Sequence, residues 1–263
     1  MDYTSAHLVW IALAVFLQGM NKGGLPVGTV ALPLLVLIWP DQAEPARAAV
    51  GFLLPLLCVM DVVAALLYRR NILWNRIGPV LPSVLAGVAL ASALALSGAD
   101  SLISFSDRAL RGMIGVIGIF FVLYRASSVW LLKRVSEHRQ PGRARTMLFG
   151  AVAGITSTLA HAAGPVMQMY YLPQRMPKMN YAATTAGFFL IMNLMKVPFY
   201  VYHGRITSES LALNLKMLPV IPVGVLLGYS LVRRIDPQVY VTLIHVLLAG
   251  TSTLLLLQAF QVL

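Results

Sequence analysis

Six apolar runs dominate this chain, at roughly 46–68, 76–97, 107–132, 180–202, 210–232 and 237–261. Each is about as long as the 20 residues that an α-helix needs to cross a hydrocarbon core. A soluble globule has nowhere to hide that much apolar surface. Aliphatic, aromatic, Met and Cys residues make up 59% of the 263 residues and charged residues only 11%, against about a quarter charged in an ordinary soluble domain. The composition therefore belongs to a chain whose solvent is lipid.

Four shorter runs, at 7–20, 24–39, 146–160 and 164–173, reach only part of the way through a bilayer at about 1.5 Å rise per residue. They form two pairs, each interrupted by Gly, Pro and polar residues. The first breaker runs Gly19-Met20-Asn21-Lys22-Gly23-Gly24-Leu25-Pro26 and the second Thr156 to Pro165. Each half of the chain thus reads as a short pair followed by three long runs. Gly51-Phe52 answers Gly187-Phe188. Leu81-Pro82 with Gly87-Val88 answers Leu218-Pro219 with Gly224-Val225, and Asp107 and Asp236 each precede the last run of their half. Such an internal duplication is frequent in transporters. The expected fold is an all-α polytopic membrane protein of two homologous repeats, each a short broken-helix pair plus three long transmembrane helices. The first repeat covers 1–132, a basic cytoplasmic linker 133–145, and the second repeat 146–263.

The net charge of +11 comes from cations placed between apolar runs. Arg69, Arg70 and Arg76 form one group, and Lys133, Arg134, Arg139, Arg143 and Arg145 another. That placement follows the positive-inside rule and argues for topology rather than nucleic-acid binding. If each short pair is a hairpin returning to its own side, a half has three crossings and the repeats are inverted. Arg175, Lys178, Arg233 and Arg234 then also lie inside, with Asp41, Glu44, Asp100, Asp107, Arg205 and Glu209 outside and Arg47 and Arg108 at the edges. If each pair is one crossing, those four cations move outside, so the rule favours inversion. The single cysteine, Cys58, excludes a disulfide framework. The stretch before the first run lacks a basic n-region, so it is expected to be retained.

Irregular backbone at membrane depth must be buried or line a cavity. Both breakers are therefore expected to meet near the centre, with Gly24 and Pro26, then Gly164 and Pro165, opening the second helix of each pair. Two helix N-termini facing one cavity suit an anion. Lys22 adds a cation with no acid near it in sequence, a costly residue at depth unless an anion meets it. On this reading Lys22→Met removes anion binding and spares folding. Asn21, Gly23, Gly24, Gly164 and Gln168 join Lys22 as substrate-binding candidates, with Tyr170 a weaker one. Thr185, Phe189 and Asn193, spaced by four, share one helix face that could line the cavity. His161 could donate to the anion or carry a proton. Asp61 could pair with a cation or relay protons, and Lys196 either serves coupling or gating or snorkels to an interface. His245 is either a relay or a packing residue.

A single intramembrane acid argues against a cation carrier. No Walker lysine motif, His-Glu-x-x-His or Gly-x-Ser-x-Gly is present, so no enzyme, metal or cofactor is called for. Two other readings stay open: an intramembrane enzyme using His161 and Asp61 on a lipid-linked substrate, and an anion channel. The expected partners are a small anionic substrate and the lipid bilayer, not nucleic acid, with a homodimer as the assembly considered.

Several stretches carry a family resemblance. They are Asn21-Lys22-Gly23-Gly24-Leu25-Pro26; Asp61 with Tyr68-Arg69-Arg70, Trp74 and Leu81-Pro82 to Gly87; and Ser157-Thr158 through Gly164-Pro165 to Tyr171-Leu172-Pro173-Gln174-Arg175. Ala183-Thr184-Thr185-Ala186, Phe188-Phe189, Asn193-Leu194, Lys196 and Pro198 continue them. In this order they resemble the sulfite exporter TauE/SafE family, also called the 4-toluene sulfonate uptake permease family. The resemblance implies a secondary carrier of the cytoplasmic membrane for sulfite, organosulfonates or other small sulfur-containing anions. Ala160-His161-Ala162-Ala163 departs from the Gly-rich stretch that the family often carries there.

Overall fold

The computed structural model describes residues 3–25, 31–39, 45–96 and 141–236, with isolated positions elsewhere. Regular structure among the described residues is helical throughout. The helices are α1 (Ser5–Lys22), α2 (Ala31–Ile38), α3 (Pro45–Tyr68), α4 (Trp74–Ile77), α5 (Leu81–Leu96), α6 (Arg143–Ala160), α7 (Ala163–Tyr171), α8 (Lys178–Tyr202), α9 (Ser208–Met217) and α10 (Val220–Arg234). The runs at 107–132 and 237–261, with His245 and most of the linker, lie outside the described residues.

Among the described residues, three stretches are long and apolar enough to cross a bilayer: Ala48–Tyr68, Trp74–Ala93 and Lys178–Tyr202. The run at 210–232 is two helices, α9 and α10, meeting at 53°. Pro219 sits at that joint as the N-cap of α10, where its missing N–H breaks the ladder. Apolar side chains such as Leu66, Leu90, Val201 and Val223 point outward from these helices, as lipid requires. The chain is thus a multi-pass helical membrane protein.

Both short pairs fold back on themselves. Tyr3, just before α1, packs edge-on against Trp39, just after α2, at 6.5 Å between ring centroids. Arg145 in the first turn of α6 donates to the carbonyl of Met169 near the end of α7 at 3.2 Å, and the Thr146 and Tyr170 hydroxyls lie 3.2 Å apart. Each pair therefore begins and ends on one side. Arg143 and Arg145, expected in the linker, belong to the first turn of α6.

The chain divides into two compact units, each drawing on both sequence halves. The first comprises Met1–Leu73 with Ala182–Leu247, and the second Trp74–Tyr181 with Leu248–Leu263. Within the first unit, α1 runs parallel to α10. A Cβ on Gly19 would stand 3.3 Å from the Cα of Gly224; one on Gly23 would run into the Val225 carbonyl, and one on Gly228 into the Met20 carbonyl. Within the second unit, α5 runs parallel to α6 in the same manner. A Cβ on Gly87 would run into the Ala151 carbonyl and one on Gly154 into that of Val84. Small residues let helix backbones touch where lipid offers no hydrophobic drive for association. So each unit pairs the first helix of one half's short pair with the Leu-Pro…Gly helix of the other half.

In the first unit α3 and α8 run antiparallel. Cys58 and Val197 pack against the buried cluster of Val50, Leu54 and Tyr200. The C-terminal ends of α3 and α10 lie together, with the Tyr68 and Tyr229 rings 5.0 Å apart and Arg233 over Tyr229 at 5.6 Å. Arg69, Arg70, Arg233 and Arg234 are exposed beyond them, so the basic ends of both helices share one end of this unit.

Candidate functional site

The first breaker starts one turn later than its sequence suggests. Asn21 and Lys22 are still helical, and the chain leaves α1 at Gly23. Gly24 then takes a φ of 106°, where a side chain would be strained. The Gly24 N–H returns to the Asn21 carbonyl at 2.9 Å and the Leu25 N–H to that of Met20 at 3.1 Å. This pair of bonds is a Schellman motif, which satisfies carbonyls at a helix C-terminus. Gly24 therefore closes α1 instead of opening α2, whose described residues begin at Ala31. The Gly23 carbonyl accepts from the Tyr68 hydroxyl at 2.7 Å. We expect Tyr68→Phe to cost about 1–3 kcal/mol by stranding that buried acceptor. Unfolding at the wild-type midpoint would show that the carbonyl finds another donor.

This turn sets Lys22 at the end of α1, where the partial negative charge of the helix terminus favours an ammonium. Its Nζ lies 2.7 Å from Asp61 Oδ1 on α3 and 4.5 Å from the Phe189 ring centroid on α8. Asn193, one turn beyond Phe189, donates through Nδ2 to Asp61 Oδ2 at 2.6 Å. Lys196 completes the group, in electrostatic range of both Asp61 and Lys22, with its Nζ 5.9 Å from the Tyr200 ring centroid. Relative exposure is 8% for Lys22, 1% for Asn193 and 0% for Asp61 and Lys196. Four polar side chains from α1, α3 and α8 thus form one buried cluster, carrying two lysine amines and one carboxylate.

The acid that meets Lys22 is therefore Asp61, far from it in sequence. Lys196 does not snorkel, because its whole side chain is buried. The shared face of Thr185, Phe189 and Asn193 does reach this cluster through its last two members. Thr185 Oγ1 is buried with no hydrogen-bond partner among the described residues. Its neighbour Thr184 is occupied otherwise, accepting from the Leu73 N–H at 3.1 Å. One contributor went unread in the sequence, the Tyr68 hydroxyl on the breaker; Phe189 was placed on the cavity face, but not as the ring beneath the ammonium. A cation on an aromatic face is worth about 0.5–2 kcal/mol; its only sequence signal was an aromatic one turn from Asn193.

In the second unit the break comes at His161, which closes α6 in the left-handed region with φ 50°. The His161 and Ala162 N–H groups return to the Ser157 and Thr156 carbonyls at 3.0 and 3.2 Å. A glycine would adopt this conformation more easily, which gives a backbone reason for glycine at this point. The Thr156 and Thr158 hydroxyls donate back into α6, to the Val152 and Gly154 carbonyls, both at 2.8 Å. Gly164 and Pro165 fall in the first turn of α7, as expected, and Ala162 provides no side-chain cap there. A Cβ on Gly164 would meet no described atom within 4 Å. Gln168 Oε1 is buried without a hydrogen-bond partner among the described residues.

A multi-pass helical protein with a buried, charged cluster beside broken helices has the attributes of a membrane transport protein. The family model "Sulfite exporter TauE/SafE" matches residues 8–255, and the chain belongs to that family of transporters. No curated protein and no solved structure matches it.

Proposed function

We propose that this protein is a secondary carrier that moves a small sulfur-containing anion, such as sulfite or an organosulfonate, across the cytoplasmic membrane. The observation that carries the reading is the buried cluster of Lys22, Lys196, Asp61 and Asn193. With both lysines protonated, two ammonium groups against one carboxylate leave one positive charge for an anion to balance. A charge surplus at membrane depth is expensive, and a small anion relieves it. Family membership supplies the sulfur chemistry.

The anion would meet Lys22 and Lys196, with Asn193 and the buried Thr185 hydroxyl as hydrogen-bond donors. Asn21, Gly23 and Gly24 shape the turn that presents Lys22. The opening turn of α7, with Gly164, Gln168 and His161 beside it, offers helix N–H groups as an anion-binding candidate in its own right. The fold-back of both short pairs supports three crossings per half, hence inverted repeats. Alternating access then comes from one repeat moving against the other around a fixed site. A binding screen of purified protein against sulfite, thiosulfate, sulfate, sulfoacetate and taurine tests the reading. Saturable binding of at least one, lost in Lys22→Met, is expected; binding of none would sink it.

Gly164 gives a second, local test. Nothing in the described protein fills the space beside it, so Gly164→Ala should leave thermal stability within about 0.5 kcal/mol of wild type. If that space receives the anion, the same methyl lowers affinity at least several-fold. Unchanged affinity would remove Gly164 from the site.

A further inference from the structure

We propose that Lys196 is the proton-carrying residue of this carrier: it stands as a neutral amine in the empty cluster and takes up one proton as the anion binds, so that anion and proton cross together. The inference rests on the carrier reading above and on the balance of charge among buried groups. Asp61 is the one acid well inside an apolar run, and two lysines share its cluster. Lys22 meets the carboxylate at 2.7 Å, ends a helix whose terminus favours a cation, and lies over the Phe189 ring at 4.5 Å. Asn193 donates to the second carboxylate oxygen at 2.6 Å. That ion pair is balanced as it stands. Lys196 is fully buried, and Lys22 acts on it as a like charge. An ammonium there is a second cation against one carboxylate. Burial and a neighbouring like charge both disfavour the charged form of a group, so the amine rests neutral. A lysine, unlike an arginine, can change its charge in such a place.

An anion beside the two lysines reverses this balance. A monoanion leaves the cluster at a formal −1 while Lys196 is neutral and at zero once it is protonated. In the balanced step, one proton from solvent joins the lone pair of Lys196 Nζ as the anion arrives, and the new ammonium pairs with it. When the anion leaves, that N–H bond breaks and the proton follows it into solvent. The other groups facing Lys196 are Lys22 from α1 and Asp61 and Cys58 from α3. Lys22 is already an ammonium, and protonating Asp61 would cost it that ion pair. On the α8 side the Tyr200 ring lies 5.9 Å from Nζ, with Arg205 over the same ring at 5.8 Å. A thiol and a phenol already carry their protons at neutral pH, and a guanidinium is always charged. The α2 helix, whose Leu32 packs beside Tyr200, carries no titratable side chain. On α9, Glu209 acts on Tyr3 and Lys216 stands in the last turn. On α10, Tyr229 packs on Tyr68, Arg233 lies over Tyr229, and Arg234 ends the helix.

Isothermal titration of the purified protein in buffers of different ionisation enthalpy counts the protons taken up per anion bound. The probe is methanesulfonate, a monoanion that does not itself titrate near neutrality. Wild type should take up about one proton per anion, and its affinity should fall about tenfold per pH unit as the pH rises. Lys196→Arg carries a permanent charge, so it should bind with no proton uptake and an affinity level with pH. The readout is the difference between the two proteins on one anion, so sulfite or thiosulfate serves equally if the sulfonate does not bind. Lys196→Met supplies a readout that needs no anion. It removes a neutral group at rest, so it should unfold near the wild-type midpoint, unlike Lys22→Met, which strands Asp61. Equal proton counts in wild type and Lys196→Arg, or proton uptake kept in Lys196→Met, would overturn the inference and leave the carrier reading standing. So would a Lys196→Met midpoint lowered as far as that of Lys22→Met, because Lys196 would then rest as a paired ammonium. Binding of no anion in the wider screen would remove both readings.

Discussion

Lys22→Met is expected to remove anion binding and also to destabilise the protein by about 3–5 kcal/mol. The first effect follows from taking away the ammonium that meets the anion. The second follows from what stays behind, because Asp61 is fully buried and loses its partner at 2.7 Å. Sequence alone showed no acid near Lys22 and so predicted folding untouched; the ion pair reverses that half of the prediction. Lys22→Met combined with Asp61→Asn should recover most of the stability, since a neutral amide can share hydrogen bonds with Asn193 where a carboxylate needs a cation. It should recover none of the binding. Unfolding midpoints in detergent, read alongside anion titrations, separate the two effects. A single variant as stable as wild type would mean that Lys22 and Asp61 do not depend on each other.

Gly228→Leu is expected to be the most damaging change away from the charged cluster. Even a Cβ at this position would run into the Met20 carbonyl, and backbone cannot yield as a flexible side chain can. Inserting bulk into close packing commonly costs about 1–3 kcal/mol and occasionally more, and here it separates α1 from α10. The damage should reach the cluster too, because α1 carries Lys22 two residues beyond Met20. The variant should lose monodisperse folded protein on size exclusion, whereas Gly164→Ala should not. A well-folded Gly228→Leu protein would show that the α1–α10 contact is dispensable.

Much of the architecture was legible because lipid imposes such a simple requirement. Long apolar runs had to be spans, and three of those that fall on described residues are long, apolar helices. The breakers were legible from Gly and Pro, and Gly164-Pro165 opens α7 as such residues should. Helix ends were harder. Lys22 and Asn21 look like loop residues beside two glycines, yet the Schellman turn at Gly24 needs them in the last turn of α1. The bend between α9 and α10 was written only in Pro219, inside a run that hydropathy reads as continuous. The site was half legible. Lys22, Asp61, Asn193 and Lys196 were each singled out as polar residues at depth, but nothing local says that they share one cluster. Asp61 and Asn193 are 132 residues apart. Their meeting depends on α3 and α8 running antiparallel, a tertiary fact with no local signature.

The central claim is that a buried lysine cluster serves a carrier. Counterflow tests it most directly. Vesicles containing the reconstituted protein are loaded with unlabelled sulfite and diluted into a trace of ³⁵S-sulfite. The account predicts label accumulating well above its equilibrium level, saturating with sulfite, and absent in the Lys22→Met/Asp61→Asn double variant. Flux that neither saturates nor responds to sulfite on the far side, or counterflow undiminished in the double variant, would contradict it.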